Sequence, residues 1–585
     1  MEGARLGTNV NSSRMSIALT KNGNFGAAEM SDGDRPGSRE ERRVHGLARP
    51  TRVPFLRIPP FPGSRLKQFV ELPGEGADLD AIADALRRAR VGDSYWAAQP
   101  ALPLDRVLVR SRAALGAAKE ITGSEALVLW ERGPSVGSAN GFTVVTGECD
   151  PWHMLSNAAA LVTEADDDLR LIAALLEVPC FLFELNTRRL AGDTAAVSDL
   201  VARALPQAGF ENPFTGEAMG VAETIELCGF WRCLIDLNRD VVGGIGFAFW
   251  KQDHVAPLLW AGSAPFEFLR APRDFSSTGS VAIWRSKTSS AVVADLELRH
   301  VALVEVEDGF VRSRGLGADC IPPLSVTVDR SGVYFDPSRE SDLERLLEQG
   351  EFDRILLKRA GELRQLIVRS GIGKYERGVT ALDRPAGARR HILVPGQVED
   401  DRAVIAGGCG LVRNIDLLAR VREQAPDAFI LYKPHPDVLA GHRRGAIPDG
   451  ECLRYADKIV ANVPIASLIE MVDEVHVNTS LAGFEALLRR KPVITHGVPF
   501  YAGWGLTTDL GPVPARRTAK RSLDELVAAA LLVYPRYLDP VTGLPCPAEV
   551  VVDRLGAESD ASLGVVVGLR RLQGKLMRRL RSLVQ

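Results

Sequence analysis

The sequence predicts an α/β fold in which parallel β-sheets carry helices on both faces. Short apolar runs alternate with amphipathic segments of about 10–15 residues, which is the pattern of repeated β–α–β units. The predicted strands that show this pattern best are residues 301–306, 391–394, 428–432, 474–477 and 492–495. Helices are predicted between members of this set, at residues 414–424 and 481–490. Ligands of such folds bind beyond the carboxyl ends of the strands, so the residues after each strand are the candidates for function.

The chain has 585 residues, which is too long for one hydrophobic core and predicts several domains. Residues 1–50 are polar and residues 54–73 are rich in proline, so we expect a disordered N-terminus and a tether. An additional α/β domain follows, with a helix near Leu79 and a β–α–β unit within residues 160–183. The predicted boundaries are 1–75 for the disordered tether, 76–235 for the N-terminal domain, 236–385 and 386–545 for two further α/β regions, and 546–585 for C-terminal helices.

Composition and charge exclude several classes of protein. The chain is 46% hydrophobic and 25% charged, which is typical of globular proteins. Its formal net charge of −3 gives no general attraction to nucleic acid, so we expect no nucleic-acid partner. The N-terminus lacks the apolar core of a secretory signal, and no uninterrupted apolar run reaches the roughly 18 residues of a membrane-spanning helix. We therefore expect a cytoplasmic location.

The C-terminal residues 569–583 predict a basic amphipathic helix. Four leucines recur at helical spacing among its arginines and lysine, at positions 569, 572, 576 and 580. Such a helix can lie on anionic lipid, which would place the protein peripherally on the inner face of the cytoplasmic membrane. It can equally pack against the core of the protein or against a partner, and the sequence alone leaves both interpretations open.

Acidic groups follow two of the predicted strands. Glu307 and Asp308 come directly after the first strand of the set, and Arg312 lies four residues further along. These residues are either catalytic or part of a turn with a surface ion pair. The loop after the second strand ends in three successive carboxylates, the last of which is Asp401. Like charges repel at close range, so this loop holds either a nucleophile or base with an altered pKa, or an acidic segment exposed to solvent.

Groups suited to a nucleotide follow the next strands. His435 lies between two prolines and follows Lys433; the prolines restrain the backbone, which suits a group that donates to a phosphate. Thr479 or Ser480 can cap the helix at 481–490, whose free N–H groups attract an anion. Glu485 can accept from ribose hydroxyls or simply complement the helix dipole. Segment 499–507 sets aromatics among glycines, which predicts a packed corner or a loop that contacts sugar.

These segments, in this order, resemble the capsule polysaccharide β-Kdo transferases of the KpsC/KpsS type. The similarity runs from about residue 255 to 545 and is greatest to the C-terminal module of the two-module enzymes. The segments that carry it are EDGFVRSRGLGAD (307–319), PPLSVTVDRSGVYFDPSRESDLERLL (322–347), KYERG (374–378), LVPGQVEDD (393–401), YKPHPDVLAG (432–441) and NTSLAGFEALLRRKPVITHGVPFYAGWGLT (478–507). The resemblance implies a modified GT-B transferase with two Rossmann-like lobes, the acceptor lobe at 236–385 and the CMP-sugar lobe at 386–545.

The resemblance also implies the reaction and its residues. Kdo would pass from CMP-β-Kdo to a lipid-linked capsule or related surface-polysaccharide acceptor by double displacement, with retention and without a metal or cofactor. Asp401 matches the final Asp of the QxxxD element and would be the nucleophile. Glu307 or Asp308, with Glu307 preferred, would activate the acceptor hydroxyl. The implied donor-binding residues are Gln397 to orient the donor, His435 and Ser480 for the phosphate, Glu485 for the ribose, and Arg312 or Lys433 for the Kdo carboxylate.

Two alternative functions and one open question accompany this interpretation. The chain could use another CMP-activated sugar acid, because the motifs determine the nucleotide end better than the sugar end. It could instead be a non-catalytic capsule assembly or export factor that binds capsule intermediates or the export machinery. Residues 76–230 lack the transferase motifs, although 160–179 weakly resembles 475–493. The N-terminal domain is therefore either a degenerate transferase half-module kept as a scaffold or an unrelated α/β domain.

Overall fold

The computed structural model describes residues 55–56, 61, 68–70, 78–121, 126–132, 142–205, 208–270, 279–311, 321–372, 384, 387, 389–441 and 443–557. The predictions for residues 1–50, Arg312 and the basic helix at 569–583 lie outside these residues. The predicted disordered tether up to residue 75 is wrong where the structure describes it, because Phe55, Leu56 and Phe61 are buried and residues 68–70 form a β-strand. The chain forms two compact units. The N-terminal unit runs to Arg239 and includes Trp260–Pro265, and the C-terminal unit comprises Asp240–Leu259 and the chain from Phe266.

The N-terminal unit contains a six-stranded sheet with the strand order of a Rossmann fold. In chain order its elements are β1 (Gln68–Val70), α1 (Leu79–Ala89), β2 (Arg106–Val109), α2 (Leu115–Ala118), β3 (Leu127–Glu131), β4 (Thr143–Thr146), α3 (Pro151–Leu155), β5 (Ala158–Thr163), α4 (Leu169–Leu175), β6 (Cys180–Glu184), β7 (Arg189–Gly192), α5 (Val197–Ala204), β8 (Ala208–Glu211), β9 (Ala218–Met219) and α6 (Val221–Asp236). The sheet order is β4-β3-β2-β5-β6-β7, with β7 alone antiparallel. Numbered within this sheet, the order is 3-2-1-4-5-6.

Two sequence predictions are confirmed in this unit. The predicted helix near Leu79 is α1, which begins after Asp78, whose side chain accepts from the backbone N–H of Ala81 at 3.0 Å. The predicted β–α–β unit within 160–183 is formed by β5, α4 and β6. The central strands β2 and β3 are buried, as expected of parallel strands covered on both faces.

The C-terminal unit contains two further six-stranded sheets, one in each of two lobes. Its elements are β10 (Val241–Ile245), α7 (Phe249–Val255), β11 (Ser280–Ile283), α8 (Ser290–Leu298), β12 (Ala302–Asp308), β13 (Ser325–Asp329), α9 (Asp342–Gln349), α10 (Arg354–Arg369), β14 (His391–Pro395), α11 (Arg402–Gly407), α12 (Asn414–Gln424), β15 (Phe429–Lys433), α13 (Pro436–Leu439), α14 (Asp449–Cys452), β16 (Lys458–Ile459), α15 (Ile465–Met471), β17 (Glu474–Val477), α16 (Leu481–Leu488), β18 (Val493–Thr495), β19 (Thr508–Asp509), α17 (Leu523–Val527), β20 (Pro535–Leu538), β21 (Pro545–Cys546) and α18 (Ala548–Ala557). The predicted two-lobe α/β architecture, preceded by another α/β domain, is confirmed.

The first lobe is a mixed sheet in the order β10-β11-β12-β13-β20-β21. Strands β10, β11 and β12 are parallel, whereas β13, β20 and β21 each run antiparallel to the preceding strand of the sheet. We predicted that the second lobe extends to residue 545, and this boundary is wrong because β20 and β21 belong to the first lobe. The register pairs Ser325 with Tyr537. A pairing between segments so distant in the chain leaves no local signal in the sequence.

The second lobe is an all-parallel sheet in the order β16-β15-β14-β17-β18-β19. Numbered within the lobe, this is 3-2-1-4-5-6, the Rossmann order. The predicted helix at 414–424 coincides with α12, and four predicted strands correspond to β14, β15, β17 and β18. The strand order reverses between β14 and β17, which are adjacent through Leu393 and Val475. Because the connections diverge at this point, a crevice is expected beyond the carboxyl ends of these two strands.

Aromatic side chains from the family motifs pack where the two lobes meet. Phe310, just after β12, lies 4.6 Å from Phe500 and 4.8 Å from Tyr334, measured between ring centroids. Phe500, Tyr501 and Trp504 are all buried. The sequence left open whether segment 499–507 forms a packed corner or a loop that contacts sugar. The buried aromatic side chains show that it forms the packed corner.

A buried ion pair also joins the lobes and predicts a large stability effect. Glu344 on α9 pairs with Arg517 of the second lobe at 2.9 Å, and their side chains are 5% and 2% exposed. Replacing Glu344 by Gln leaves the arginine charge buried and uncompensated, so we expect the free energy of unfolding to fall by about 3–5 kcal/mol. The exposed pair Glu340–Arg345 offers a matched control, since Glu340→Gln should cost no more than about 1 kcal/mol. Urea unfolding of both variants checks this, and equal losses would contradict it.

The C-terminal helix α18 packs against α10 through an ion pair between Arg359 and Glu549 at 2.5 Å. It is the part of the predicted C-terminal helical segment 546–585 that falls within the described residues. None of the described helices combines the length and the apolar character needed to cross a bilayer.

Candidate functional site

A cleft opens at the carboxyl ends of β14, β15 and β17 in the second lobe. It comprises about 900 Å³ of empty space, a volume that includes open solvent. The cleft brings together six of the nine predicted site residues, namely Gln397, Asp401, Lys433, His435, Ser480 and Glu485. Their position agrees with the rule that ligands bind at the point where the strand order reverses.

Asp401 is held in place by the helix that it caps. It is the N-cap residue of α11, and its Oδ1 accepts from the backbone N–H of Ala403 at 2.9 Å. The bond restricts the side-chain rotamer of a half-buried carboxylate at the wall of the cleft. A carboxylate held in one orientation is suited to attack an electrophilic carbon bound in that cleft.

Gln397 bridges the ends of β14 and β17. Its Nε2 donates to Thr479 Oγ1 at 2.8 Å, and its Oε1 accepts from the Thr479 backbone N–H at 3.2 Å. The Gln397 backbone is fixed in turn by the Asn414 side chain, which accepts from its N–H and donates to its carbonyl, both at 2.8 Å. Gln397 was predicted to orient the donor; with its amide bonded to Thr479, it shapes the cleft and positions the start of α16.

The contacts of His435 define which ring nitrogen carries the proton. Its Nδ1 accepts from the backbone N–H of Asp437 at 3.1 Å. In the neutral imidazole the proton must then be on Nε2, which makes that nitrogen a hydrogen-bond donor. His435 lines the cleft, and Pro436 at the first position of α13 fixes the backbone there. The side chain can therefore donate to an anionic ligand without a change of protonation.

Lys433 lines the same cleft but has backbone partners. Its side chain is buried, and its Nζ donates to the carbonyl of Val463 at 2.6 Å and to that of Ala461 at 3.3 Å. The ammonium thus anchors the loop before α15 while adding positive charge to the cleft. These bonds compete with the predicted pairing of Lys433 with a sugar carboxylate.

Ser480 and Glu485 lie at the start and in the second turn of α16. Ser480 Oγ accepts from the backbone N–H of Ala482 at 3.2 Å, as predicted for a cap. Glu485 is buried and also lines the cleft. A Cβ at Gly483 would lie 2.2 Å from the Tyr501 hydroxyl, so the close packing of α16 on the aromatic corner requires glycine.

Glu307 and Asp308 belong to the first lobe, at the end of β12, and their side chains point to opposite faces of the sheet. Glu307 Oε1 accepts from Arg402 Nη1 at 2.5 Å, so it faces the helix that begins directly after Asp401. Asp308 instead pairs with Lys251 within its own lobe at 2.9 Å. Of the two predicted alternatives, Glu307 is thus the one that contacts the helix following Asp401.

The environment of Glu307 shifts the pKa of its carboxyl toward neutral pH. Burial raises the pKa of Glu307 to about 7, and Arg402 opposes this rise through its positive charge. A carboxyl with such a pKa exchanges its proton within the physiological range, which suits a general base.

Sequence reasoning missed Arg402 and Asn414, and it considered Thr479 only as a helix cap. Arg402 follows Asp401 directly, so the signal for it was a basic residue at the end of an acidic loop. Its partner Glu307 lies 95 positions earlier in the chain, and only the fold brings the two together. Thr479 and Asn414 were visible as the start of predicted helices, but the side-chain bonds that they make were not.

Arg110 occupies the equivalent position in the N-terminal unit, beyond the end of its central strand. Arg110, just after β2, reaches the ends of both neighbouring strands: it donates to Asp167 at 3.2 Å and to the carbonyl of Trp130 at 2.6 Å. Its guanidinium also lies 4.3 Å from the centroid of the Trp130 ring. Where the second lobe has an open cleft beyond its central strand, this unit has an ion pair and a stacked aromatic side chain.

Comparisons with known proteins agree with the motifs. A family described as "Capsule polysaccharide biosynthesis protein" matches residues 280–355 and 359–537. The capsule polysaccharide modification protein LipA of Neisseria meningitidis serogroup A is 38% identical over 349 residues, which is 59% of this chain and 49% of LipA. The chain thus spans about half the length of this curated relative.

Two solved structures from Thermosulfurimonas dismutans match nearly over their whole length. One is titled KpsC, beta Kdo 2,7 transferase, and is 35% identical over 54% of this chain and 97% of that one, with a TM-score of 0.44. The other, KpsC, beta Kdo 2,4 transferase, is 30% identical over 54% and 98%, with a TM-score of 0.48. The chain therefore belongs to the capsule polysaccharide biosynthesis protein family.

Proposed function

We propose that this chain is a retaining glycosyltransferase that moves Kdo from CMP-β-Kdo to a lipid-linked capsule or related surface-polysaccharide acceptor. The observation that carries the proposal is the cleft that places Asp401 beside His435 and the start of α16. The cleft combines a fixed carboxylate with donors for an anion, as a nucleophile and a phosphate site require. The two KpsC relatives are named as beta Kdo transferases, which supports the choice of sugar.

In the first displacement, a carboxylate oxygen of Asp401 attacks the anomeric carbon of Kdo. The bond from that carbon to the phosphate oxygen breaks, and CMP leaves with the electron pair. His435 Nε2–H and the N–H groups around Ser480 stabilise the phosphate, and Lys433 adds positive charge. Glu485 accepts from the ribose hydroxyls. The proposed reaction requires no metal or cofactor.

In the second displacement, an acceptor hydroxyl attacks the same carbon from the opposite face. Glu307 takes the proton of that hydroxyl, and the bond between Kdo and Asp401 breaks. Two inversions give overall retention. The two reacting carboxyl groups belong to different lobes, so the acceptor enters from the side of the first lobe.

We place the protein in the cytoplasm, peripherally at the inner face of the cytoplasmic membrane. A lipid-linked acceptor is found at that surface, and the basic sequence at 569–583 has the composition of a segment that binds anionic lipid. We also propose that the protein contacts the capsule export machinery at this membrane surface. The shared strand order of the N-terminal unit and the Arg110–Asp167 pair beyond its central strand favour a degenerate half-module that serves as a scaffold.

Release of CMP from two donors tests the proposal against its alternatives. We expect the purified protein to release CMP from CMP-Kdo faster than from a CMP-activated nonulosonic acid, and we expect CMP to inhibit both. A preference for the second donor would favour a transferase for another sugar acid. A CMP-dependent rise in melting temperature without release from either donor would favour an assembly factor, since a ligand at 100 times its Kd adds about 2.7 kcal/mol of stability.

A further inference from the structure

Arg402 connects the loop that carries Asp401 with the strand that carries Glu307. It is the first residue of α11, directly after the N-cap Asp401. Its Nη1 donates to Glu307 at 2.5 Å, and its Nη2 lies 3.4 Å from Glu305. Its guanidinium lies 5.0 Å from the centroid of the Phe335 ring, which restricts its orientation.

The other charges around Glu307 have nearer partners. The groups that face it are Glu305 and Asp308 on β12, Lys251 on α7 and Arg402 on α11. Lys251 pairs with Asp308 at 2.9 Å, and Glu305 is already bound by Arg285 and Arg339 at 2.8 and 2.6 Å. Among the described residues, Arg402 is thus the cation in direct contact with Glu307.

The cleft lining separates Arg402 from the donor. Asp401, Ala403 and Val404 all line the cleft, whereas Arg402 is not among its described lining residues. The Arg402 guanidinium instead extends from α11 toward the first lobe, where it contacts Glu307. This arrangement argues against a direct contact of Arg402 with the nucleotide or the sugar carboxylate.

We propose that Arg402 is a positioning residue that keeps the Glu307 carboxylate ionised and aligned with the Asp401 loop. The inference rests on the proposed function and deepens it, because it explains how a half-buried base can stay deprotonated while acceptor hydroxyls approach. The bond also joins the two lobes, because Glu307 belongs to the first lobe and Arg402 to the second.

The test is the pH dependence of CMP release from CMP-Kdo with water as acceptor, which requires no lipid substrate. The variants are Arg402→Met, Arg402→Lys and the control Arg413→Met, which removes an exposed pair with Asp416. We expect the acidic limb of the parent profile to move up by about 1–3 pH units in Arg402→Met, the range over which a neighbouring opposite charge acts. The acidic limb should shift less in Arg402→Lys and should not shift in the control Arg413→Met. The initial burst of CMP should persist in all three variants.

Each other outcome overturns the inference in a distinguishable way. If the pH midpoint of the acidic limb were unchanged and CMP release were slower by the same factor at every pH, Arg402 would be only a structural contact. Loss of the burst together with a raised KM for CMP-Kdo would make Arg402 a donor-binding residue. Absence of a burst and of CMP release in the parent protein would refute the proposed function, and the inference would fall with it.

Discussion

Replacing Asp401 by Asn should abolish Kdo transfer while leaving the fold intact. Asparagine caps a helix as well as aspartate, so the bond to the Ala403 N–H and the start of α11 should persist. The amide cannot act as the nucleophile, and we expect turnover to fall by at least about 10³-fold, the scale of loss when a catalytic side chain is removed. Steady-state release of CMP from CMP-Kdo measures this.

The neighbouring carboxylate offers a matched control for Asp401. Asp400 is exposed and lies in the same loop, so Asp400→Asn changes the local charge equally. We expect its rate to stay within a few-fold of the parent. Residual transfer in Asp401→Asn close to the parental rate would require a second catalytic centre, and it would contradict the assignment of the N-terminal unit as a scaffold.

Replacing Glu307 by Gln should separate the two half-reactions. The first displacement does not need the base, so CMP should appear in a burst of about one equivalent per protein. The second displacement should slow by about 10²–10⁴-fold, the usual contribution of a general base. Rapid-quench measurement of CMP resolves the burst from the steady state, and loss of the burst itself would show that Glu307 acts on the donor.

The pKa of the Glu307 carboxyl predicts how the activity of the parent protein depends on pH. Burial raises the pKa of Glu307 to about 7, and only the deprotonated form can accept the proton of the acceptor. Steady-state activity should therefore be low below pH 7, rise through about pH 7 and level off above it. A limb that instead followed an ordinary glutamate near pH 4.3 would contradict the role of Glu307.

Local patterns in the sequence predicted the second lobe well. Its strands are continuous apolar runs because both faces of a parallel sheet are buried, and its helices have the expected length. Six of the site residues were found because they follow these strands directly, and parallel strands bring their carboxyl ends to one edge. The strand order, and with it the reversal between β14 and β17 that forms the cleft, is known only from the structure.

Contacts between distant segments could not be predicted in this way. The return of β20 to the first sheet pairs residues about 200 positions apart, with no local signal. The contact of Arg402 with Glu307 depends on how two lobes pack, and the bonds of Lys433 to a neighbouring loop depend on the path of that loop. Sequence motifs identified which residues reach the cleft, whereas the structure showed which of them are already engaged.

The central claim is that Kdo is carried covalently on Asp401, and intact-mass analysis tests it most directly. The purified protein would be incubated with CMP-Kdo alone, beside the Asp401→Asn variant and with Glu307→Gln to slow the breakdown of the adduct. We predict an increase of one Kdo residue in Glu307→Gln, a smaller population of the same species in the parent protein, and no increase in Asp401→Asn. The same increase in Asp401→Asn, or continued release of CMP from Glu307→Gln with no adduct, would contradict the account.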